Sequence, residues 1–409
     1  MLIVCFVPLV VIAGCCARIK LAFTNGLAIS SRAGRDKLYQ VLLEQNGMES
    51  KDVSVKVTVS GREYTISLRY ACCKDQDDTK PPLLFLPGSY ASSAPFLAAS
   101  AILSAHFRVY ILDLPGWGVS DDLPFHKFSV EDLISCHVDV TQQFLQVMKL
   151  PKAVIAAHSL AGFFAVHHAH QYAAQVEQLI LINPAGLLPL LGDSTAYWSF
   201  LFKTGVHNYL LRSLSFFILP ALQGFSGMGE SALFQTSLLC SRLSGVHILS
   251  KLISWNLTHT CWKVPCIDML CSLTVETVLI YGSADTLLPV HQGCVASALT
   301  EGQLKCYGVA DAGHGPHGAE PELFVRTLLH GIQNTTAPGK HYKRDAIGGV
   351  QLSRYHACFD CNFTRGLILD MYRTILNETC TFQELRGKYE LDVRNMQGAH
   401  LKSEAVNRA

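Results

Sequence analysis

A serine lies where a buried strand pattern changes into a helical one, and the residues two positions before and after it are small. The segment is A-H-S-L-A at residues 157–161, preceded by the apolar run 153–156 and followed by 163–166. A nucleophilic serine needs such a sharp turn, and the residues two positions away must be small because strand and helix nearly touch there. The usual pattern has glycine at both positions, and alanine is still small. We therefore predict that Ser159 is a nucleophile.

The chain also contains the partners that such a serine needs. Asp285 follows the buried-strand pattern of residues 278–282, and His314 lies in the glycine-rich loop 310–317. A serine hydroxyl is a poor nucleophile at neutral pH, so a histidine must take its proton and a carboxylate must orient that histidine. We predict a catalytic triad of Ser159, His314 and Asp285.

Two backbone N–H groups are expected to bind the negative charge that develops on the substrate oxygen. One is the N–H of Leu160, the residue after the nucleophile. The other is assigned to Ser89, in the loop after the apolar strand 82–86, where Gly88 allows close approach to the substrate.

The chain resembles the cap-bearing α/β-hydrolases over residues 53–332. The order serine, aspartate, histidine is that of the family's triad. The segment D-L-P-G-W-G-V-S at residues 113–120 resembles the family's D-x-P-G-x-G-x-S, and G-H at 313–314 precedes E-P-E-L-F at 320–324, as in the family's last helix. Members include esterases, monoacylglycerol lipases, proline iminopeptidases and epoxide hydrolases. The resemblance implies an acyl-transferring serine enzyme with no cofactor.

Two differences from members of the family affect what the resemblance implies. Pro87 stands where the family often has a histidine, and we expect activity to be retained but altered. The nucleophile is a serine, whereas epoxide hydrolases use an aspartate, so their chemistry is not implied.

Several neighbouring residues compete for the same roles. His317 is a second candidate base, and the glycine before His314 favours His314. Asp113 ends a strand, where it is expected to order a loop rather than to catalyse. The family sometimes takes its acid from the loop after the preceding strand, but Asn183 stands there and an amide cannot serve as a carboxylate.

The composition excludes several classes of function. Of the 409 residues, 49% are hydrophobic and 16% charged, and the formal net charge is +1, so nothing indicates a nucleic-acid partner. No phosphate-binding glycine loop stands out. Cys358 and Cys361 form a C-x-x-C pair, but no second pair accompanies it, so a zinc or redox role is a minor alternative. We expect His167, His168 and His170 to lie on a helix surface rather than to bind a metal, and we predict neither a metal nor a cofactor.

The N-terminus and the sequons favour the secretory pathway. Residues 1–17 are apolar and uncharged, which suits a signal peptide. Because Arg18 and Lys20 follow, the alternative is an uncleaved membrane anchor with the body of the protein in the cytosol. The fifteen cysteines suggest disulfides, with clusters at Cys240, Cys261, Cys266 and Cys271 and at Cys358, Cys361 and Cys380. We predict a secreted or lumenal glycoprotein, with glycosylation sequons at Asn256, Asn334, Asn362 and Asn377.

The hydrophobic pattern predicts a doubly wound α/β fold with a mostly parallel sheet. An alternating strand pair at 53–59 and 64–68 is followed by continuous apolar runs, as expected where helices cover both faces of a parallel sheet. The predicted organisation begins with a signal or anchor segment (1–17) and an N-terminal helical and peripheral segment (18–52). The core follows in two parts (53–186 and 274–333), separated by an inserted helical cap (187–273), and the tail comprises residues 334–409.

We interpret the chain as a serine hydrolase that cleaves an acyl ester. The bulky apolar residues of the cap favour a hydrophobic or lipid-like ester, although they could equally pack the cap onto the core or contact a membrane. Three alternatives stay open. The same triad could serve an aminopeptidase, although the cap is poor in acids, or an acyltransferase. The chain could also be a non-catalytic protein that binds a hydrophobic ligand.

Overall fold

The computed structural model describes residues 32–188, 244–255, 260–285 and 304–333. It also describes five single positions in between, Leu287, Leu288, Gln292, Gly293 and Ala296. The predicted signal or anchor segment, residues 189–243 of the predicted cap, the four sequons and the tail all lie outside these ranges.

The chain forms two compact units. The first comprises Met1–Ala153 and Tyr197–Leu252, and the second comprises Val154–Ala196 and Ile253–Ala409. Within the described residues the main sheet has eight strands, four in each unit. It is mostly parallel and flanked by helices, so the predicted α/β fold class is confirmed.

A long antiparallel hairpin starts the sheet of the first unit. Strands β1 (Met48–Val59) and β2 (Arg62–Cys73) pair with Val53 opposite Leu68. The turn at Ser60 and Gly61 has positive φ at both residues, as a tight hairpin requires. Strand β1 begins five residues before the predicted start, because Met48 already pairs with Cys73.

Two short strands complete the sheet of the first unit. Strand β4 (Arg108–Leu112) is antiparallel to β2 and parallel to β3 (Pro82–Leu86). Both are buried almost throughout, as their apolar runs predicted.

Four helices accompany these strands. They are α1 (Arg32–Gln45), α2 (Leu97–Leu103), α3 (Val130–Val147) and α5 (Ser244–Leu252). The prediction that the N-terminal helix is peripheral was wrong for one face of α1, since Tyr39, Leu42 and Leu43 are buried. Tyr39 also hydrogen-bonds Ser93, and this polar contact was not visible in the sequence.

The described part of the second unit contains four strands of the main sheet and its own helices. The strands are β5 (Ala153–His158), β6 (Val176–Ile182), β9 (Thr277–Gly282) and β10 (Lys305–Val309). Strand β9 lies between β6 and β10 and is parallel to both. The helices are α4 (Leu160–Gln171), α6 (Ile267–Cys271), α7 (Pro316–Ala319) and α8 (Pro321–Gln333).

The sequence pattern predicts a last helix at residues 321–332 whose Phe324, Leu328 and Leu329 face inward, and the observed helix ends one residue later. Phe324 and Leu328 are fully buried, as expected, and Leu329 is only half-buried. Val325 and Ile332 are buried instead. Positions 324, 328 and 332 recur every four residues and form one face, and residue 329 lies beside that face.

The described part of the predicted cap is not entirely helical. Two short strands of this region, β7 (Ile253–Trp255) and β8 (Thr260–Trp262), pair in antiparallel orientation. Aromatic and β-branched residues at their ends favour extended structure. Trp262 is buried and its ring stacks on Phe163 of α4, with centroids 6.2 Å apart.

Two further expectations concern membranes and disulfides. No helix within the described ranges has the length and apolarity that a membrane crossing requires. No disulfide joins any of the cysteines that the structure describes with their side chains, which are Cys72, Cys73, Cys136, Cys266, Cys271 and Cys306. The predicted disulfides therefore have no support in this part of the chain.

Candidate active site

Ser159 occupies a strained turn between β5 and α4. Its backbone has φ 52° and ψ −124°, a conformation that non-glycine residues rarely adopt. Its N–H donates to Ile182 O at 2.9 Å, and its carbonyl accepts from the N–H groups of Gly162 and Ala185 at 3.0 and 2.9 Å. Such strain persists only where the surroundings over-determine it, and these three hydrogen bonds do so.

Alanine stands at the two positions where the usual pattern has glycine, and both alanines are compatible with this turn. Ala157 and Ala161 are completely buried. A close approach occurs at Gly162, where an added Cβ would lie 2.9 Å from Pro184 Cβ. The requirement for a glycine thus falls one residue later than the usual pattern places it.

One imidazole joins the predicted nucleophile to the predicted acid. His314 Nε2 lies 3.0 Å from Ser159 Oγ, and His314 Nδ1 lies 2.8 Å from Asp285 Oδ2. A carboxylate only accepts, so Nδ1 carries the proton and Nε2 is free to accept the serine proton. The structure brings together the three residues that the sequence analysis selected, in the arrangement a serine nucleophile needs.

Asp285 is buried and accepts hydrogen bonds on both oxygens. Its Oδ1 accepts from the N–H groups of Leu287 and Leu288 at 2.8 and 3.0 Å, and its Oδ2 faces His314. Burial opposes its ionisation, but the hydrogen bond and charge of His314 and the two backbone donors outweigh it. The pKa of Asp285 is therefore below its ordinary value.

Asn183 is the site residue that the sequence analysis set aside. It follows β6 and is completely buried, and its Nδ2 donates to Asp285 Oδ2 at 2.5 Å. Its Oδ1 accepts from Gly282 N–H at 3.2 Å. The signal was available in outline, because the carboxyl ends of neighbouring parallel strands bring the loops after β6 and β9 together.

His158 contacts both the backbone and the ring of His314. Its Nε2 donates to the backbone carbonyl of His314 at 2.7 Å, and its ring centroid lies 4.8 Å from that of His314. Burial, with a smaller contribution from the charge of His314, lowers the pKa of His158 to about 3. His158 is thus neutral at physiological pH, with the proton on Nε2.

His317, the alternative base, lies behind this pair. Its ring centroid is 4.7 Å from that of His158 and 5.9 Å from that of Phe324. It is buried, and this burial lowers its pKa well below the ordinary value. The imidazole that contacts Ser159 and Asp285 is that of His314.

Two hydrogen bonds join the loop that carries Asp285 to the loop that carries His314. Ala284 N–H donates to Ala312 O, and Asp311 N–H donates to Ser283 Oγ, both at 2.9 Å. At the end of β9, a Cβ on Gly282 would lie 2.0 Å from Gly313 O. The distance between Asp285 and His314 therefore depends on close backbone packing.

The remaining predicted residues lie as follows. Leu160 is the first residue of α4, and Ser89 lies in the loop after β3 of the first unit. Their assignment to an oxyanion hole stays a prediction. Asp113 orders a loop, as expected, because its carboxylate accepts from Ser93 N–H at 2.7 Å and Val119 N–H at 2.9 Å.

The histidines of α4 do not all lie on a surface. His170 is exposed, but His168 is buried, and this burial lowers its pKa to about 4. The prediction of a histidine surface was wrong for His168 because α4 is covered on more than one side. Within the described ranges, no group of three His, Cys, Asp or Glu is placed to hold a metal ion.

Comparison with known proteins identifies the family. Residues 83–327, more than half of the chain, match the alpha/beta hydrolase family. The chain belongs to this family.

Among curated proteins, a probable 1-acylglycerol-3-phosphate O-acyltransferase of Oryza sativa subsp. japonica is 30% identical over 112 residues. That match covers 27% of each chain, so the chain spans about a quarter of this relative. A 1-acylglycerol-3-phosphate O-acyltransferase of Arabidopsis thaliana is 28% identical over 308 residues, which are 68% of this chain and 72% of that protein.

Solved structures share the fold. A membrane phospholipase A, described as a bacterial virulence factor, superposes with a TM-score of 0.55 at 18% identity, covering 81% of this chain and 98% of that one. At this identity the likeness concerns the fold alone.

Proposed function

We propose that the protein is a serine hydrolase that cleaves an acyl ester. The observation that carries the proposal is the position of the His314 imidazole, with Nε2 at 3.0 Å from Ser159 Oγ and Nδ1 at 2.8 Å from Asp285 Oδ2. Membership of the alpha/beta hydrolase family supports it. The chemistry needs these side chains, water and two backbone N–H donors for the negative charge on the substrate oxygen, which we assign to Leu160 and Ser89.

In this mechanism Ser159 Oγ attacks the ester carbonyl while His314 Nε2 takes its proton. Asp285 holds the imidazole in the required tautomer and stabilises the positive charge that forms on it. His314 then gives the proton to the leaving alcohol, and an acyl-enzyme remains. Water, deprotonated by His314, attacks the acyl group, and Ser159 regains its proton.

The proposed substrate class is a hydrophobic or lipid-like ester. The support is the apolar character of residues 187–273 in the sequence and the name of the Arabidopsis relative, which indicates a lysophospholipid substrate for that protein. A series of p-nitrophenyl esters of increasing acyl length would test this, with kcat/KM expected to rise from the acetyl ester to the longer acyl esters. A constant or falling kcat/KM would argue against an apolar acyl site.

The first test of the mechanism is labelling with a fluorophosphonate probe. The wild-type protein should be labelled, and Ser159→Ala should not be, because the probe bonds only to an activated serine. Ser135→Ala is the matched control, since Ser135 is an exposed serine on α3, and its labelling should equal that of the wild type. A folded wild type that is not labelled would refute the mechanism and favour a non-catalytic ligand-binding protein.

Acyl transfer is a second candidate, favoured by the name and coverage of the Arabidopsis relative. The same acyl-enzyme would then pass its acyl group to an alcohol rather than to water. Incubation with a radiolabelled acyl ester and a lysophospholipid separates the two. Labelled free fatty acid supports hydrolysis, and labelled diacyl phospholipid supports transfer.

We also propose that the protein enters the secretory pathway and is secreted or lumenal; the alternative is an anchor at residues 1–17 that leaves the body of the protein in the cytosol. The apolar N-terminus and the four sequons support this. Treatment of the protein from mammalian cells with peptide-N-glycosidase should lower its apparent mass, and substitution of the four sequon asparagines by Gln should abolish the change. An unchanged mass in the wild type would count against this location.

A further inference from the structure

The amide of Asn183 lies on the same carboxylate oxygen that faces the base. Asp285 Oδ2 is 2.5 Å from Asn183 Nδ2 and 2.8 Å from His314 Nδ1. Its Oδ1 is occupied by the N–H groups of Leu287 and Leu288. The carboxylate thus accepts four hydrogen bonds, and Asn183 supplies the only side-chain amide among these donors.

The orientation of the Asn183 amide is dictated by its two partners. An ionised carboxylate only accepts hydrogen bonds, so the NH₂ group must face Asp285. The N–H of Gly282 only donates, so the amide oxygen must face Gly282. Both partners require the same orientation. In the reversed orientation the amide oxygen would face the carboxylate oxygen, and the NH₂ group would face the Gly282 N–H.

The backbone of Asn183 is held as firmly as its side chain. Its N–H donates to Ile280 O of β9 at 2.8 Å, and its φ of 41° lies in the left-handed region that asparagine tolerates better than most residues. Asn183 therefore spans from the end of β6 to the end of β9, and its side chain reaches Asp285 from a fixed point.

We propose that Asn183 is a positioning residue that acts through Asp285. Its amide fixes the rotamer of the carboxylate, so that Oδ2 keeps a lone pair directed at His314 Nδ1 while the imidazole turns between Ser159 and the leaving group. This inference rests on the proposed function. It gives the asparagine after β6 a task in the reaction, although an amide there cannot replace the acid.

A double-mutant cycle tests whether Asn183 acts through Asp285. Asn183→Leu and Asp285→Ala are made singly and together, circular dichroism establishes that each is folded, and the second-order rate of fluorophosphonate labelling is measured. We expect Asn183→Leu to slow labelling about 10- to 100-fold with Asp285 present, the loss typical of one hydrogen bond to a charged group. With Asp285 replaced by Ala, the same substitution should change the rate less than about twofold.

Equal losses in the two backgrounds would overturn the inference, because a residue that only maintains local structure would act whether or not the carboxylate is present. Wild-type protein that is not labelled at all would instead refute the proposed function. The two failures are therefore distinguishable.

A second variant keeps the inference testable if Asn183→Leu does not fold. Asn183→Asp has the same shape and still offers an acceptor to Gly282 N–H, but it can donate to Asp285 only while protonated. Two carboxylates in contact cannot both ionise freely, so the donor is lost as the pH rises. The rate relative to the wild type should fall at least about tenfold between pH 5 and pH 8, and a constant ratio would overturn the inference.

Discussion

His314 is held at three points, and each has a different consequence for the chemistry. Nδ1 faces Asp285 Oδ2, Nε2 faces Ser159 Oγ, and its backbone carbonyl accepts from His158. The first contact sets the tautomer, the second allows proton transfer, and the third fixes the loop from which the ring projects. Substitutions at residues 285 and 158 should therefore impair labelling in different ways.

Asp285→Asn should leave the fold intact and reduce the rate of labelling by roughly 10⁴-fold, the loss reported for the equivalent change in a serine protease triad. The amide lacks the negative charge and can present a donor to Nδ1, which favours the wrong tautomer. Rates of fluorophosphonate labelling from pH 5 to pH 9 would measure this. A loss of less than tenfold would mean that Asp285 is not the acid of the site.

His158→Phe should keep the ring packing against His317 but remove the donor to the His314 carbonyl. We expect labelling to slow about tenfold, the equivalent of one neutral hydrogen bond at the upper end of its range. His168→Leu is the matched control, since His168 is equally buried but belongs to no contact of the site. Similar labelling of the two variants would show that the His158 contact does not position the base.

At the scale of elements, the site depends on how closely the end of β9 packs against the loop after β10. Ala284 and Asp311 tie the two segments by hydrogen bonds, and Gly282 leaves room for the carbonyls of Ala312 and Gly313. Parallel strands β9 and β10 present their carboxyl ends together, so acid and base arrive from adjacent loops.

Gly282→Ala should separate these loops. The new Cβ would lie 2.0 Å from Gly313 O and 2.4 Å from Ala312 O, and backbone atoms cannot move aside as a flexible side chain can. We expect a loss of roughly 1–3 kcal/mol in the free energy of unfolding and at least tenfold slower labelling. Urea denaturation and fluorophosphonate labelling measure the two effects.

Gly313→Ala is the matched control for this prediction, because a Cβ at residue 313 meets nothing within 4 Å. It should behave like the wild type in both measurements. A stable and active Gly282→Ala variant would show that the packing between these loops is not needed.

At the scale of the whole molecule, four of the described histidines are buried and neutral. His137 in the first unit and His158, His168 and His317 in the second are all buried, and burial is the main cause that lowers each of their pKa values. In the unfolded chain a histidine titrates near its ordinary pKa of about 6.5. Below that pH the unfolded state binds more protons than the folded state.

The free energy of unfolding should therefore fall as the pH falls from about 6.5 to about 4, by about 1.4 kcal/mol per pH unit for each histidine that stays neutral in the fold. Asp285 adds to this loss at lower pH, because its pKa in the folded protein is also lowered. Urea denaturation at pH 7.5, 6.0 and 5.0 would measure it, and His168→Leu should reduce the slope. A pH-independent midpoint would contradict the burial of these rings.

The sequence by itself determined the central buried strands and the identity of the three central residues. Apolar runs such as 82–86 and 278–282 indicate burial on both faces, and hydrophobicity is a local property of the chain, so these two strands were predicted to within about one residue. Ser159, Asp285 and His314 were selected because each follows such a run and few residue types can perform the chemistry.

Tertiary structure decided what lies around these residues. The contact of Asn183 with Asp285, the packing of His158 between His314 and His317, the burial of His168 and the pairing of β7 with β8 depend on which strands and helices become neighbours. Neighbourhood arises from the order of strands in the sheet, and no local periodicity encodes that order. An amide that looked chemically inert in the sequence therefore acquires its partner only once β6 and β9 lie side by side.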